Sequence, residues 1–195
     1  MYKLFKRLMD FVISLIGLLV LSPFLIIIAL IIKLESQGKI LFTQKRVGKD
    51  KVLFNIYKFR SMVSETPKDT PTHLLNDPSR FITKSGAFLR KSSLDELPQL
   101  LNILKGDMSI VGPRPALWNQ DDLITERDKF KANDLVPGLT GWAQINGRDE
   151  LPIVEKAKLD GYYASHISLF LDIKIFFLTI FKVLKSDGVR EGGQK

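Results

Sequence analysis

The stretch Ser92–Gln99 reads SSLDELPQ and sets two adjacent carboxylates, Asp95 and Glu96, at the expected first turn of a helix. Two readings fit. Ser93-x-x-Glu96 has the spacing of a capping box, in which Ser93 caps the Glu96 amide and Glu96 reaches back. Alternatively the pair is a chemical centre. A helix N-terminus favours an ionised Asp95, and a carboxylate held beside an activated phosphorus can attack it to give an acyl phosphate. Basic residues recur on rigid or glycine-rich segments around the pair. YKFRSM carries Lys58 and Arg60 at the end of a strand, and Arg90 precedes the carboxylates by about one helical turn. GPRP clamps Arg114 between Pro113 and Pro115, which lowers the entropic cost of presenting its guanidinium. GWAQINGR adds Gln144 and Arg148 where glycines let a ligand approach the backbone. Singly, each basic residue reads as a solvated charge or a surface turn. Together they form a cradle for a diphosphate. Two acids inside an anion cradle conflict unless a cation joins them. Mg²⁺ bridging Asp95 and phosphate oxygens resolves the conflict.

The elements that must position these groups are short. ILFTQK and VLFNIYKF read as two strands about a Gly48-Lys49-Asp50 turn. The segment 64–80, with Pro67, Pro71 and Pro78, reads as a loop. A helix is expected over Leu94–Lys105 with Gly106 as its stop, then a short strand MSIV running into GPRP. Ala116–Ala132 reads as a polar helix, VPGLTGWAQINGR as a loop and Pro152–His166 as a helix. The class expected is α/β, mainly helical with few short strands, without the regular βα alternation of a doubly wound sheet.

Two segments point to lipid. Phe11–Ile32 runs 22 residues without a charge, and a straight helix of that length rises roughly 33 Å, the thickness of a bilayer core. Ser22-Pro23 interrupts the run, and Pro23 deletes one helical hydrogen bond. Lys3, Lys6 and Arg7 precede it, and Lys33, Lys39, Lys45 and Arg46 follow. Cytoplasmic loops collect positive charge, and a spanning helix cannot put both flanks in the cytoplasm. A re-entrant helix–break–helix can, while a kinked spanning helix remains the alternative. Residues 1–36 are therefore expected to form this membrane element and residues 37–195 a catalytic domain at the cytoplasmic face. In that domain about 167–186 reads as an interfacial helix, with Asp172, Thr179, Lys182, Lys185 and Ser186 on one arc and aromatic residues on the other. A core helix is the competing reading.

The 195 residues carry 29 Lys and Arg against 21 Asp and Glu, a net charge of +8 that suits an anionic partner. The absence of Cys excludes thiolate metal sites, a Cys nucleophile and disulfides, and two His argue against a His-rich metal site. No P-loop, GxGxxG or GxSxG occurs, and no basic-aromatic module points to nucleic acid.

YKFRSM, RKSSLDELPQLLNILKGDMSIVGPRP and PGLTGWAQINGR, in that order behind a Ser-Pro break in an apolar run, resemble the bacterial sugar transferases, the monotopic phosphoglycosyl transferases. The resemblance runs from about Phe5 to Gly188. It implies transfer of a sugar 1-phosphate from a UDP-sugar to polyprenyl (undecaprenyl) phosphate with release of UMP. It also implies a place on the cytoplasmic face of the bacterial inner membrane, at the first step of capsule, O-antigen, exopolysaccharide or glycan assembly. On this mapping Asp95 is nucleophile and Mg²⁺ ligand, and Glu96 assists with metal or proton. Arg114, Arg90, Lys58 and Arg60 manage phosphate charge, with Gln144 and Arg148 beside them. Ser22 and Pro23 mark the re-entrant break. The oligomeric state stays open, a homodimer included. Two other readings compete. A polytopic transferase acting without a covalent intermediate needs more spans than one apolar run. A non-enzymatic basic membrane adaptor leaves the carboxylates and the clamped arginine unexplained.

Overall fold

The computed structural model describes residues 2–64, 66, 80–147 and 151–185. A 34-residue helix, α1 (Tyr2–Glu35), comes first. Strands β1 (Leu41–Val47) and β2 (Leu53–Phe59) follow as an antiparallel hairpin in the register Leu41↔Phe59 to Val47↔Leu53. The turn between them is a short 3₁₀ segment at Lys49–Lys51. Then come α2 (Lys84–Lys91), a 3₁₀ turn at Leu94–Glu96, α3 (Gln99–Lys105) and β3 (Ser109–Val111). The chain continues through α4 (Asp121–Asp128), β4 (Gly138–Thr140), α5 (Trp142–Ile145), α6 (Ile153–His166) and α7 (Leu169–Lys185). The result is mostly helical, with two two-stranded sheets, as the sequence leads one to expect.

The sequence motif PGLT holds a strand where a loop was expected. β4 pairs parallel to β3, with Ser109 opposite Gly138 and Val111 opposite Thr140. A Cβ on Gly138 would lie 2.1 Å from the Gly112 amide nitrogen. The glycines let two backbones meet just before the Arg114 loop. The polar helix expected over Ala116–Ala132 shrinks to α4, because residues 116–120 turn back onto the hairpin: Val47 N–H donates to Ala116 O at 2.9 Å. Most of the expected 64–80 loop lies outside the described residues, as does Ser186.

α1 is one continuous helix through Ser22 and Pro23, not two arms separated by a break. Pro23 leaves the Leu19 carbonyl without its amide partner, and the Ser22 hydroxyl donates to that carbonyl at 2.8 Å. The interruption thus costs one backbone bond and is made good locally, so the helix is weakened at this point without ending.

Both ends of α1 dock on the same globular part. Near the N-terminus, Lys6 pairs with Asp172 at 2.7 Å, and Tyr2 donates to the same carboxylate at 2.6 Å. Arg7 donates to the Ile103 and Leu104 carbonyls at the end of α3. Asp10 accepts from the Ile110 amide and the Ser109 hydroxyl. Near the C-terminus, Ile28 and Ile32 pack with Phe59 and Leu89; midway along, Leu18 and Leu21 join the main core around Ile56, Ile103, Met108 and Tyr163.

The polarity of the two long helices is reversed relative to a water-soluble bundle. In α1, Lys6, Asp10 and Ser14 recur at helical spacing and are buried against the domain, while Leu8, Leu19, Val20, Ile26 and Leu34 face outward. In α7, Asp172 is buried beside Leu171 and Ile175, and Thr179 bonds Thr140 at 2.6 Å. Phe170, Phe177 and Phe181 are exposed, Phe170 to 80%. The outward faces are too large and too apolar for water. Asp172 and Thr179 of the polar arc expected on α7 therefore look inward, and the core-helix alternative fails for its aromatic face.

Candidate active site

Ser93 has φ 57° and ψ 15°, a left-handed conformation that turns the chain between α2 and the 3₁₀ turn. A non-glycine residue held there costs of order 1–3 kcal/mol, a strain that clusters at working sites. The capping box is absent: Ser93 makes no side-chain cap, and α3 begins only at Gln99. Pro98, which lacks an amide hydrogen, precedes that first turn. Asp95 and Glu96 therefore lie in a separate 3₁₀ turn ahead of the helix, and their side chains are free for other partners.

Those partners divide unequally. Glu96 Oε1 accepts from Lys58 Nζ, at the end of β2, at 2.7 Å and from Arg114 Nη2 at 2.8 Å. Burial opposes ionisation of Glu96, but Arg114 and Lys58 together overcome it and hold the carboxyl well below the usual range. Asp95 is only 7% exposed and has no hydrogen bond or ion pair of its own among the described residues. Burial raises its pKa; Lys58 pulls the other way, the Glu96 charge adds to the rise, and Arg90 and Arg114 oppose it more weakly. This corrects the expectation of an Asp95 kept readily anionic by a helix end: desolvation dominates. Adjacent acids whose environments drive their pKa values apart are suited to different roles. Glu96 is a fixed anion that holds two cations and is poorly placed to carry protons. Asp95 is a desolvated carboxyl with no hydrogen bond or ion pair of its own, within electrostatic reach of Lys58, Arg90 and Arg114.

Arg114 is presented by a braced loop. Arg127 Nη1 donates to the Arg114 carbonyl at 2.9 Å, and Arg127 Nε and Nη2 donate to buried Asp160 on α6 at 2.8 and 2.5 Å. Arg46 Nη1 donates to the next carbonyl, that of Pro115, at 3.1 Å. Sequence reasoning missed Arg127, Asp160 and Arg46. A signal existed for Asp160, which lies three residues from buried Ala157 and three from buried Tyr163, on the apolar face of α6.

The other expected site residues fall in different places. Arg90, at the end of α2, reaches Met62 Sδ at 3.7 Å, and its charge acts on Asp95. Arg60 does not face the carboxylates. It donates to the Ile32, Ser36 and Lys39 carbonyls and closes the C-terminal end of α1, where unpaired carbonyls collect. Gln144, on α5, donates to the Leu139 carbonyl at 3.3 Å rather than joining the carboxylates. Arg148 lies outside the described residues.

No cluster of three His, Cys, Asp or Glu side chains able to hold a metal occurs among the described residues. Of the two adjacent acids, Asp95 is the one without a hydrogen bond or ion pair, and a lone carboxylate suits Mg²⁺, which is commonly held by one or two carboxylates plus substrate phosphates and water.

The family model described as bacterial sugar transferase matches residues 1–186. The "Uncharacterized sugar transferase EpsL" of Bacillus subtilis is 42% identical over 186 residues, covering 95% of this chain and 90% of that protein. A "UDP-glucose:undecaprenyl-phosphate glucose-1-phosphate transferase" of Escherichia coli is 44% identical, over 92% of this chain but 40% of its own length. A "UDP-N-acetylgalactosamine-undecaprenyl-phosphate N-acetylgalactosaminephosphotransferase" of Aeromonas hydrophila is 38% identical, over 97% of this chain and 46% of its own length. The paired cations around Glu96, the unpartnered Asp95 and the match over nearly the whole chain agree: this protein belongs to the bacterial sugar transferase family.

Proposed function

We propose that the chain transfers a sugar 1-phosphate from a UDP-sugar to undecaprenyl phosphate by way of a covalent intermediate on Asp95. The observation that carries this reading is the asymmetry of the two acids: Glu96 is neutralised by Lys58 and Arg114, while Asp95 is buried and unpaired. An Asp95 carboxylate oxygen attacks the phosphorus that bears the sugar. The new O–P bond forms as the bond to UMP breaks, and UMP leaves with the electron pair. A phosphate oxygen of the lipid then attacks the same phosphorus, the Asp95 O–P bond breaks and the carboxylate is restored. Arg114 and Lys58, pre-set by Glu96, face the negative charge that develops on the phosphoryl oxygens. Mg²⁺ held by Asp95 supplies further neutralisation of the diphosphate when bound. A screen of UDP-sugars tests the reading. UMP release in the absence of lipid, limited to one equivalent and made catalytic by undecaprenyl phosphate, is expected; release that strictly requires the lipid would contradict it.

The acceptor phosphate lies at headgroup depth, and the fold supports placing the site there. Both ends of α1 rest on one globular domain, and α1 and α7 turn apolar faces outward. A helix crossing the bilayer would carry the domain at one end only. α1 is therefore read as seated along the domain in the cytoplasmic leaflet of the inner membrane, with Pro23 at its weakest point and α7 lying in the interface. Because the chain has no native Cys, cysteines placed at positions 2 and 40 report topology cleanly. Both should resist an impermeant thiol reagent applied to intact cells and react after lysis. Labelling of position 2 from outside would establish a spanning helix instead.

A further inference from the structure

Gln99 closes the motif SSLDELPQ, yet nothing in the mechanism uses it. It is the first residue of α3, it is 1% exposed, and its Nε2 has no hydrogen-bond partner among the described residues. The side chain lines a small, partly enclosed cleft together with Arg46, Ile56, Lys58, Arg114 and Pro115. Lys58 and Arg114 are the two cations that hold Glu96. A buried amide donor without an acceptor costs the free protein stability. Such a group in a native fold is satisfied by a water, an ion or a ligand that reaches it. The other polar side chains lining the cleft, Arg46, Lys58 and Arg114, carry only donors. The matching ligand group offers acceptors alone and carries negative charge.

We infer that this cleft is a phosphate-oxygen subsite in which Gln99 Nε2 donates to a non-bridging oxygen, with Lys58 and Arg114 supplying the charge. The inference deepens the phosphoglycosyl transfer reading and rests on it for the source of the phosphate. The source is either the diphosphate of the UDP-sugar or the phosphate of the lipid acceptor. Gln99 adds directional selection to the cleft: a neutral amide at a fixed place accepts an oxygen of one geometry, whereas Lys and Arg attract any anion.

Gln99→Leu tests this, because it removes an unsatisfied donor at similar volume. The ligand-free variant should melt at or above the wild-type temperature. Its thermal stabilisation by UMP and by inorganic phosphate should be largely lost. If the subsite takes the donor diphosphate, KM for the UDP-sugar should rise roughly ten- to a hundredfold, as expected for a bond to a charged group. If it takes the acceptor, KM for the UDP-sugar stays and discharge by undecaprenyl phosphate slows instead. Gln99→Glu, which puts an anion into the same cleft, should weaken phosphate binding further. A wild-type response to both phosphate probes and both substrates in Gln99→Leu would overturn the inference. So would a drop of several degrees in its ligand-free melting temperature, since the amide would then be bonded within the fold. Wild-type protein that is stabilised by phosphate through Gln99 but releases no UMP from any UDP-sugar would retire the transfer reading while leaving the subsite standing.

Discussion

Asp95→Asn should lower turnover on the order of 10⁴-fold or more while leaving the fold intact, because it removes the attacking oxygen and keeps the shape. The stability effect has the opposite sign from the activity effect. Burial raises the Asp95 pKa in the folded state above its unfolded value. A group shifted upward contributes stability below its unfolded pKa, and that contribution is lost as pH rises through the folded value. At neutral pH the ligand-free wild type therefore carries the cost of a buried, unpaired charge, and neutral Asn removes it. The variant should melt at the same temperature as the wild type or higher, and it should lose the fall in stability that the wild type shows with rising pH through the Asp95 range. Activity follows the same titration in reverse. Attack needs the ionised carboxylate, so the first half-reaction should fail as pH falls and Asp95 takes up a proton. Melting curves across pH, set beside single-turnover rates, check all three points. A strongly destabilised Asp95→Asn would mean that the carboxylate holds the fold together.

Arg114→Ala should reduce kcat/KM about 10²- to 10³-fold, or roughly 3–4 kcal/mol of transition-state stabilisation, as for loss of one charged donor at a developing oxyanion. The loop itself should survive, because Arg127 and Arg46 hold the Arg114 and Pro115 carbonyls independently of the Arg114 side chain. Arg114→Lys should recover little. Arg114 donates to both Glu96 oxygens, through Nη2 at 2.8 Å and Nη1 at 3.5 Å, and a point charge cannot repeat that fork. Steady-state kinetics on protein shown to be folded by its melting temperature decide the matter. Turnover of the alanine variant within a few-fold of wild type would reduce Arg114 to a partner of Glu96.

Much of the site was legible because its chemistry is local. Asp95, Glu96 and Arg114 stand in short motifs whose residue types declare what they can do, and Lys58 sits at a strand end that periodicity locates. The role of Arg60 was not legible. A strand-end arginine reads as exposed, and only the return of α1 across β2 shows that it closes the C-terminal end of that helix. The capping box failed for a related reason: Ser93-x-x-Glu96 is a pattern of spacing, and the left-handed Ser93 with Lys58 and Arg114 nearby gave Glu96 better partners than the chain's own amides. Arg127 and the Lys6–Asp172 pair were hidden because they join segments far apart in sequence, whereas Asp160 carried a local mark in its place on the apolar face of α6. The apolar run announced itself by composition. Its face against the domain was readable only in part, through Lys6, Asp10 and Ser14 at four-residue spacing. The strand in PGLT escaped because it is three residues long and is made by backbone approach at Gly112 and Gly138, not by side-chain alternation.

The central claim is that Asp95 carries the phosphosugar between donor and acceptor. Intact-protein mass after incubation with the accepted UDP-sugar and Mg²⁺, without lipid, tests it most directly. A mass increase of one sugar phosphate is expected on the wild type, discharged by undecaprenyl phosphate and absent from Asp95→Asn. An unmodified wild type that nevertheless turns over when lipid is added, or an adduct that persists in Asp95→Asn, would contradict it.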